Sequence, residues 1–339
     1  MIIDRPDRDA LRVLFSESSR IHQLTLSDTI LSWCDHIPIQ GFPQLSELGV
    51  YWVYHSPTRV DSDKLSVIFS SAHRVNWNSD SDPRLVQVNG YRLHFLHLAM
   101  SRIPVTRVLE VLAACPNLRN ADIALKGGHE YTSMSHRERI LLPELRSLVL
   151  NGTWHLTCLL RSVQAPLLSC LNMNWRNHDP RECNLKALES FLTCSPHLEE
   201  IALHGFLKKE HWLISIITNN TNIRKLTVTA QRWKIPPITI KTFELLTRER
   251  HGRFVLPHLE KLVYRGARYV PDKIVLCMIE SCVSPQNNVD CSSCSRRTCT
   301  LKSICLDRGN PMAAEAVARP ETICQESGLE AEGKFASRD

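Results

Sequence analysis

The chain has little glycine and none of the short motifs that build common catalytic sites. Glycine accounts for 12 of the 339 residues, too few for a protein organised around phosphate-binding turns, which use glycine for close backbone approach. The sequence contains no glycine-rich phosphate loop, no Gly-x-Ser-x-Gly elbow, no His-Glu-x-x-His motif and no EF-hand loop. These absences predict a protein with no catalytic residues, no cofactor and no enzyme activity.

A hydrophobic run long enough to cross a membrane is also missing. Spanning a bilayer takes about 18 to 20 apolar residues, and segment 211–218 is among the longest apolar stretches here. The N-terminal segment 1–10 is charged within four residues and has no apolar core, unlike a secretory signal. The 13 cysteines are odd in number and most lie in apolar contexts, as reduced thiols do. We therefore expect a cytoplasmic or nuclear protein with no membrane partner.

The chain carries no strong charge of one sign. The formal net charge is +6 at pH 7, and the basic residues form short, separate clusters at 208–209, 248–253 and 296–297. Nucleic-acid-binding domains usually concentrate Lys and Arg on one face or stripe. The pattern favours a solvated surface and predicts no nucleic-acid partner.

What the chain has in abundance is one short phrase: an apolar residue, two variable residues, a second apolar residue, one variable residue and a third. Most copies follow one another at a period of about 20–29 residues, typical of leucine-rich repeats. The triplets are Ile21/Leu24/Leu26, Leu45/Leu48/Val50, Ala72/Val75/Trp77, Leu93/Leu96/Leu98, Leu118/Ala121/Ile123, Leu145/Leu148/Leu150, Leu168/Leu171/Met173, Leu198/Ile201/Leu203, Ile223/Leu226/Val228, Leu259/Leu262/Tyr264 and Leu301/Ile304/Leu306. Proline stands two residues before the first apolar position in six copies: Pro43, Pro116, Pro143, Pro166, Pro196 and Pro257.

The spacing of the phrase predicts how the chain folds. Side chains alternate between the faces of a strand, so the second and third apolar residues point to the same side. Proline fixes its own φ and lacks an N–H, and it therefore suits the corner before the strand. One strand and its helical return cannot bury their own apolar face, whereas stacked units can. The sequence predicts an α/β leucine-rich-repeat-like solenoid: an irregular horseshoe with a parallel β-sheet on the concave face and helices on the convex face.

Amphipathic patterns predict helices at 106–114, 185–193, 210–218 and 271–283. The predicted organisation has three parts. Residues 1–20 form an N-terminal helix or partial first repeat, and residues 21–309 form the solenoid, with a Cys/Ser-rich loop at 284–300. Residues 310–339 have few bulky apolar side chains and form a disordered tail.

Four cysteines near the end of the solenoid raise a zinc hypothesis. Cys291, Cys294, Cys299 and Cys305 are closely spaced, and four thiolates can surround a tetrahedral zinc ion. Cys305, however, lies inside the last repeat phrase, and the other three lie in a Ser/Asn-rich loop. We favour a variable loop without metal, and zinc stays the alternative.

Alternation also predicts the binding surface. Residues between and just outside each buried pair face the concave side, and a rigid polar sheet suits the binding of another protein. The residues we expect to contact a protein partner are Arg74, Asn76, Asn172, Asn174, His204, Lys225, Lys261 and Arg265. Lys225, Lys261 and Arg265 make the C-terminal part basic, and we hypothesise that they contact an acidic segment of the partner.

The repeats resemble those of a known family. The phrases "LPELRSLVLNG", "APLLSCLNMNW", "SPHLEEIALHG" and "LPHLEKLVYRG" are similar to the leucine-rich-repeat portion of fungal F-box proteins, a likeness that covers most of 11–309. In that family an N-terminal F-box docks on the adaptor of a cullin–RING ubiquitin ligase, and the repeats hold the substrate.

The resemblance does not extend to the F-box itself. About 20 residues precede the first phrase, and none form the leucine-proline opening of an F-box, so an adaptor partner is expected only if an F-box lies upstream. The resemblance implies a substrate-recognition domain without catalysis of its own. The alternatives are a free-standing interaction scaffold unrelated to ubiquitination and, third, an enzyme or zinc-dependent nucleic-acid binder.

Overall fold

Parallel β-strands occupy the predicted phrases. The computed structural model describes residues 2–3, 9, 12–13, 16–27, 42–51, 71–78, 90–100, 104–125, 139–152, 155–175, 185–205, 209–229, 238–247, 255–265, 270–283, 301–306 and 330–331. The chain divides into two units. Unit 1 comprises Met1–Leu168 with Arg176–Ser195, and unit 2 comprises Ser169–Trp175 with Pro196–Asp339.

Unit 1 contains a parallel sheet in which seven of its described strands follow one another in chain order, β1-β2-β3-β4-β5-β6-β8. A separate two-stranded pair, β7 with β9, is also parallel. The strands are β1 (Ile2–Ile3), β2 (Gln23–Ser27), β3 (Glu47–Tyr51), β4 (Arg74–Asn78), β5 (Phe95–Met100), β6 (Asn120–Leu125), β7 (Ile140–Leu141), β8 (Ser147–Gly152) and β9 (Val163–Gln164).

Unit 2 continues with the same arrangement. Its described strands pair in parallel and in chain order, each with the next. They are β10 (Cys170–Trp175), β11 (Glu200–His204), β12 (Lys225–Thr229), β13 (Lys261–Arg265), β14 (Ser303–Leu306) and β15 (Glu330–Ala331).

The pairing register keeps equivalent residues side by side. Leu24 pairs with Leu48 and Leu48 with Val75, and in unit 2 Ile201 pairs with Leu226. The second and fourth strand residues therefore form continuous buried rows. Of all the residues in the predicted triplets, only Ile21 and Leu306 are not buried. The first, third and fifth residues point the other way, and we call the surface they form the open face.

The six prolines sit in β-turns that lead into the strands. In the turn 42–45, Leu45 N donates to Phe42 O at 3.0 Å, and in 142–145, Leu145 N donates to Leu142 O at 3.3 Å. Proline is the second residue of each turn, where a φ near −65° is required. The residue before proline is buried in every case: Phe42, Cys115, Leu142, Ala165, Ser195 and Leu256. Each of these six repeats thus has a buried position that the triplet pattern did not include.

The residue just before each strand fixes the backbone of the next repeat. His94 O accepts hydrogen bonds from Arg119 N at 2.9 Å and Asn120 N at 3.0 Å. The same double acceptance recurs at Arg119 O in unit 1 and at Glu199 O and Arg224 O in unit 2. These paired bonds hold neighbouring repeats in register whatever side chain stands at that position.

Helices return the chain between strands. Unit 1 has α1 (Val105–Ala113), α2 (His155–Ser162) and α3 (Leu185–Thr193), and unit 2 has α4 (Glu210–Asn219), α5 (Ile240–Leu246) and α6 (Asp272–Val283). In α1 the buried residues recur at the three- and four-residue spacing of one helix face. Within each unit, successive helices contact one another.

The predicted α/β leucine-rich-repeat-like solenoid is confirmed, and α1, α3, α4 and α6 match the four predicted helices within one residue at each end. Two helices, α2 and α5, were not predicted. α5 is short and includes the β-branched Ile240 and Thr242, which weaken the helical signal. In the part of the chain that the structure describes, no helix is long and apolar enough to span a bilayer.

The chain termini add short strands where the sequence predicted a helix and a disordered tail. Ile2–Ile3 pair with Thr25 and Leu26, although Asp9, Arg12, Val13 and Ser16 are helical, as expected. Glu330–Ala331 pair with Ser303 and Ile304 of β14. The other residues of 310–339, and all of the 284–300 loop, lie outside the described residues, so those predictions stay predictions.

Candidate functional site

All eight predicted contact residues lie on the open face, and none of them is buried. In chain order they are Arg74 and Asn76 on β4, Asn172 and Asn174 on β10, His204 on β11, Lys225 on β12, and Lys261 and Arg265 on β13. Within unit 2 the register places His204 beside Asn174 and Lys225 beside Lys261. The open face therefore carries rows of polar side chains about 4.8 Å apart, the spacing of neighbouring strands.

A glutamate that sequence reasoning missed organises the open face at its N-terminal end. Glu47 Oε2 accepts a hydrogen bond from Gln23 Nε2 at 3.3 Å, and Oε1 accepts one from Asn76 Nδ2 at 3.0 Å. These bonds link β2, β3 and β4. The predicted residue Asn76 is thus held in place by a carboxylate on the neighbouring strand.

Asp122, on β6, likewise contacts side chains on both neighbouring strands. Its Oδ2 lies 2.8 Å from His97 Nδ1, and its Oδ1 accepts from Asn151 Nδ2 at 3.3 Å. The side chains of His97 and Asp122 are each 30% exposed, so the group remains open to solvent. Glu47 and Asp122 occupy the same alternating positions as the predicted residues, and applying the alternation to β3 and β6 would have found both.

The predicted residue Arg74 stacks on an aromatic ring. Its guanidinium carbon lies 4.2 Å from the centroid of the Phe95 ring on β5. A cation over an aromatic face is attracted by the ring quadrupole, a contribution of about 0.5–1 kcal/mol at exposed sites. Arg74 is exposed, and the contact orients its charge on the open face.

The basic character expected for Lys225, Lys261 and Arg265 is reduced in part by ion pairing. Lys225 Nζ forms a short hydrogen bond with Glu200 Oε1, and that bond and the charge of Glu200 raise the pKa of Lys225. Lys261 is partly buried and Arg265 is exposed. Of the three, Arg265 presents the most accessible positive charge.

His204 lies next to that exposed arginine. Its Nδ1 is 2.9 Å from Thr229 Oγ1. Burial lowers the pKa of His204, and the nearby positive charge of Arg265 lowers it further. His204 is therefore a hydrogen-bonding group that resists protonation on the open face of unit 2.

Groups suited to metal binding are not assembled among the described residues. No cluster of three or more His, Cys, Asp or Glu residues that could hold an ion occurs within those ranges. Cys305 is partly buried on β14, whereas Cys291, Cys294 and Cys299 lie outside the described part of the chain. The zinc hypothesis stays a prediction.

Comparisons with known proteins find structural likeness at low sequence identity. No protein-family model matches the chain, and no curated protein matches it. A solved structure from Bacteroides fragilis is 13% identical with a TM-score of 0.44 and covers 70% of this chain; this chain covers 64% of that protein, less than two thirds. An internalin from Listeria monocytogenes is 11% identical with a TM-score of 0.37, covering 95% of this chain and 89% of that one. The fold assignment rests on the strand register described above.

Proposed function

We propose that this chain is a protein-binding repeat domain without catalysis of its own, and that the open face is its binding surface. The proposal depends on one observation: outward side chains stand in fixed rows on a hydrogen-bonded sheet, and Glu47 and Asp122 tie several of them together across strands. A surface whose side chains are already ordered loses less conformational entropy when a partner binds. A cytoplasmic or nuclear location is part of the same proposal.

The more specific role we propose is substrate recognition in a cullin–RING ubiquitin ligase. Its support is the resemblance of the repeat phrases to those of fungal F-box proteins. The runner-up is a free-standing interaction scaffold unrelated to ubiquitination.

Site-specific photocrosslinking tests the binding surface. A photoreactive amino acid replaces Arg74 or Arg265, both exposed on the open face, and the matched controls carry it at Lys186 or Lys273, both exposed on helices. In a fungal lysate we expect the same defined adduct from the open-face positions and none from the helix positions. Adducts of equal yield from the helix positions, or none from the open face, would contradict the proposed surface.

Co-purification with the ligase adaptor separates the two roles. The bait is this chain or the product of a transcript that extends upstream of Met1. Capture of the adaptor by the extended product alone supports the ligase role. Capture by neither bait favours the free-standing scaffold.

A further inference from the structure

The edge of the sheet where the strands begin differs in charge between the two units. In unit 1 the residues immediately before strands β4, β5, β6 and β8 are basic: His73, His94, Arg119 and Arg146. In unit 2 the residues before β11 to β14, which are Glu199, Arg224, Glu260 and Lys302, alternate in sign and pair with one another. Glu260 binds Arg224 at 2.9 Å and Lys302 at 2.9 Å. The edge of unit 2 thus balances its own charge, whereas the edge of unit 1 brings together histidine and arginine side chains.

The basic side chains of unit 1 are packed against one another. The rings of His73 and His94 stack with centroids 5.6 Å apart and planes 12° from parallel. Burial lowers the pKa of His94, and the nearby charges of Arg119 and His73 lower it further. Arg119 supplies a permanent positive charge near the His94 ring, and its field favours the approach of a negative group.

An exposed tyrosine lies in the turn that leads into β5, three residues before His94. Tyr91 is 74% exposed, more than any other large hydrophobic side chain among the described residues. Its carbonyl accepts a hydrogen bond from Asn117 Nδ2 at 2.6 Å, and the carbonyl of Arg92 lies 3.2 Å from His73 Nδ1. Tyr91 is therefore an aromatic side chain on a backbone that is held from both sides.

Gly90 allows the turn to lie very close to the backbone of the next repeat. A Cβ on Gly90 would lie 1.9 Å from the carbonyl oxygen of Ala114, at the end of α1. Only glycine fits this approach without a backbone shift. The turn 90–92 is thus a fixed platform, and rigid aromatic and arginine side chains are the residues that contribute most to protein interfaces.

We propose that this basic edge, formed by His73, Tyr91, His94 and Arg119, binds an extended acidic polypeptide segment that places an apolar side chain on Tyr91. The inference rests on the proposed protein-binding function and names the chemistry of the partner. Carboxylates face Arg119 and the histidine rings, while the tyrosine ring supplies apolar contact. From His73 to Arg119 the edge spans about 10 Å, or two strand spacings, which matches a few residues of extended chain.

A polypeptide fits this edge better than a nucleic acid. Nucleic-acid affinity grows with the number of phosphates that Lys and Arg neutralise. Of the four residues that form the proposed site, Arg119 is the one Lys or Arg, so the site offers one guanidinium for neutralising phosphates. Its hydrogen-bonding rings and exposed phenol instead suit carboxylates and an apolar side chain.

Fluorescence anisotropy with a synthetic peptide tests the proposal. The probe is a short labelled peptide of alternating glutamate and serine with a leucine at its centre. We expect Tyr91→Ala and Arg119→Glu each to weaken its binding by at least about tenfold, a change typical of interface hot spots. Arg224→Glu is the matched control, because Arg224 holds the equivalent edge position in unit 2 but is ion-paired. It should leave the affinity unchanged.

Three outcomes would overturn the proposal. They are the absence of binding to the wild-type chain, equal loss in the Arg224→Glu variant, and equal or tighter binding of a single-stranded oligonucleotide of the same net charge. Circular dichroism of each variant checks that it folds. Open-face photocrosslinking together with no peptide binding would refute the edge site while leaving the proposed function in place, so the two failures can be told apart.

Discussion

Removal of the Glu210 carboxylate tests how one repeat holds the next. Glu210 begins α4, and its side chain reaches the first turn of α5. Oε1 accepts from Thr239 N at 2.9 Å, Thr242 N at 3.0 Å and Thr242 Oγ1 at 2.6 Å, and Oε2 accepts from Thr239 Oγ1 at 2.6 Å. One carboxylate therefore accepts hydrogen bonds from N–H groups at the start of α5 that have no partner within the helix, as a capping residue does.

The loss can be estimated from these contacts. Hydrogen bonds to a charged group contribute about 1.5–3 kcal/mol each, but four bonds that share one partly exposed acceptor do not add. For Glu210→Ala we expect a loss of about 2–3 kcal/mol in the free energy of unfolding, because the fully buried Thr242 loses its hydroxyl partner. Glu210→Gln keeps an acceptor for the N–H groups and loses only the charge near the helix N-terminus, so we expect about 0.5–1 kcal/mol.

Urea unfolding followed by circular dichroism measures the change, with the midpoint shift converted at a common slope. Glu244→Ala is the matched control, since Glu244 is exposed on α5 and its side chain forms no hydrogen bond to a described residue. Hydrogen exchange at the amides of α5 reports the local effect if the two units unfold separately. An equal midpoint shift in both alanine variants would refute the capping role.

The contribution of Glu210 also depends on pH. Burial alone raises the pKa of Glu210, but the hydrogen bonds from Thr239 and Thr242 outweigh it and lower the pKa overall. A carboxyl whose pKa is lowered by folding stabilises the protein above its unfolded value, about 4.3, and loses that contribution as the pH falls through the lowered value. The difference between wild type and Glu210→Gln should therefore shrink between pH 5 and pH 3.

Three further predictions follow from other contacts. Gly90→Ala should cost about 2–3 kcal/mol because its Cβ would meet the Ala114 backbone, whereas Gly49→Ala should cost less because only a threonine side chain at 2.9 Å must move; thermal unfolding compares the two. Burial and the nearby Arg265 lower the pKa of His204, so its folded form binds fewer protons and wild-type stability should fall as pH drops below about 6.5. His204→Gln should reduce that fall in melting experiments from pH 7 to pH 5. Metal analysis of protein purified without chelators should find no zinc; stoichiometric zinc would make the 284–300 loop a metal site.

The fold could be predicted from the sequence because the decisive signal is periodic. The strand phrase repeats, and every copy but the last places two buried residues on one side of a strand, as in Leu148 and Leu150 of β8. The features that the sequence analysis did not predict depend on single contacts between residues far apart in the chain. The short helix α5 depends on Glu210, about thirty positions earlier in the chain, and no local pattern reveals such a partner.

The side of the sheet on which the candidate contact residues lie was predictable from the sequence, but their pairing was not. Alternation put His204, Lys225 and Arg265 on the open face, where the structure has them. It did not show that Lys225 pairs with Glu200, because an ion pair between two neighbouring outward residues depends on their side-chain conformations as well as on their positions in the phrase.

The edge of the sheet is where the fold constrains side chains least. The carbonyl before each strand accepts two N–H groups of the next repeat, as His94 O does from Arg119 and Asn120, and this geometry uses the backbone alone. An exposed side chain at this position, such as that of Arg119, can therefore be replaced by one of opposite charge without breaking these backbone hydrogen bonds. Arg119→Glu should consequently retain the wild-type melting temperature, so any loss of peptide binding by that variant reports the chemistry of the edge rather than the stability of the fold.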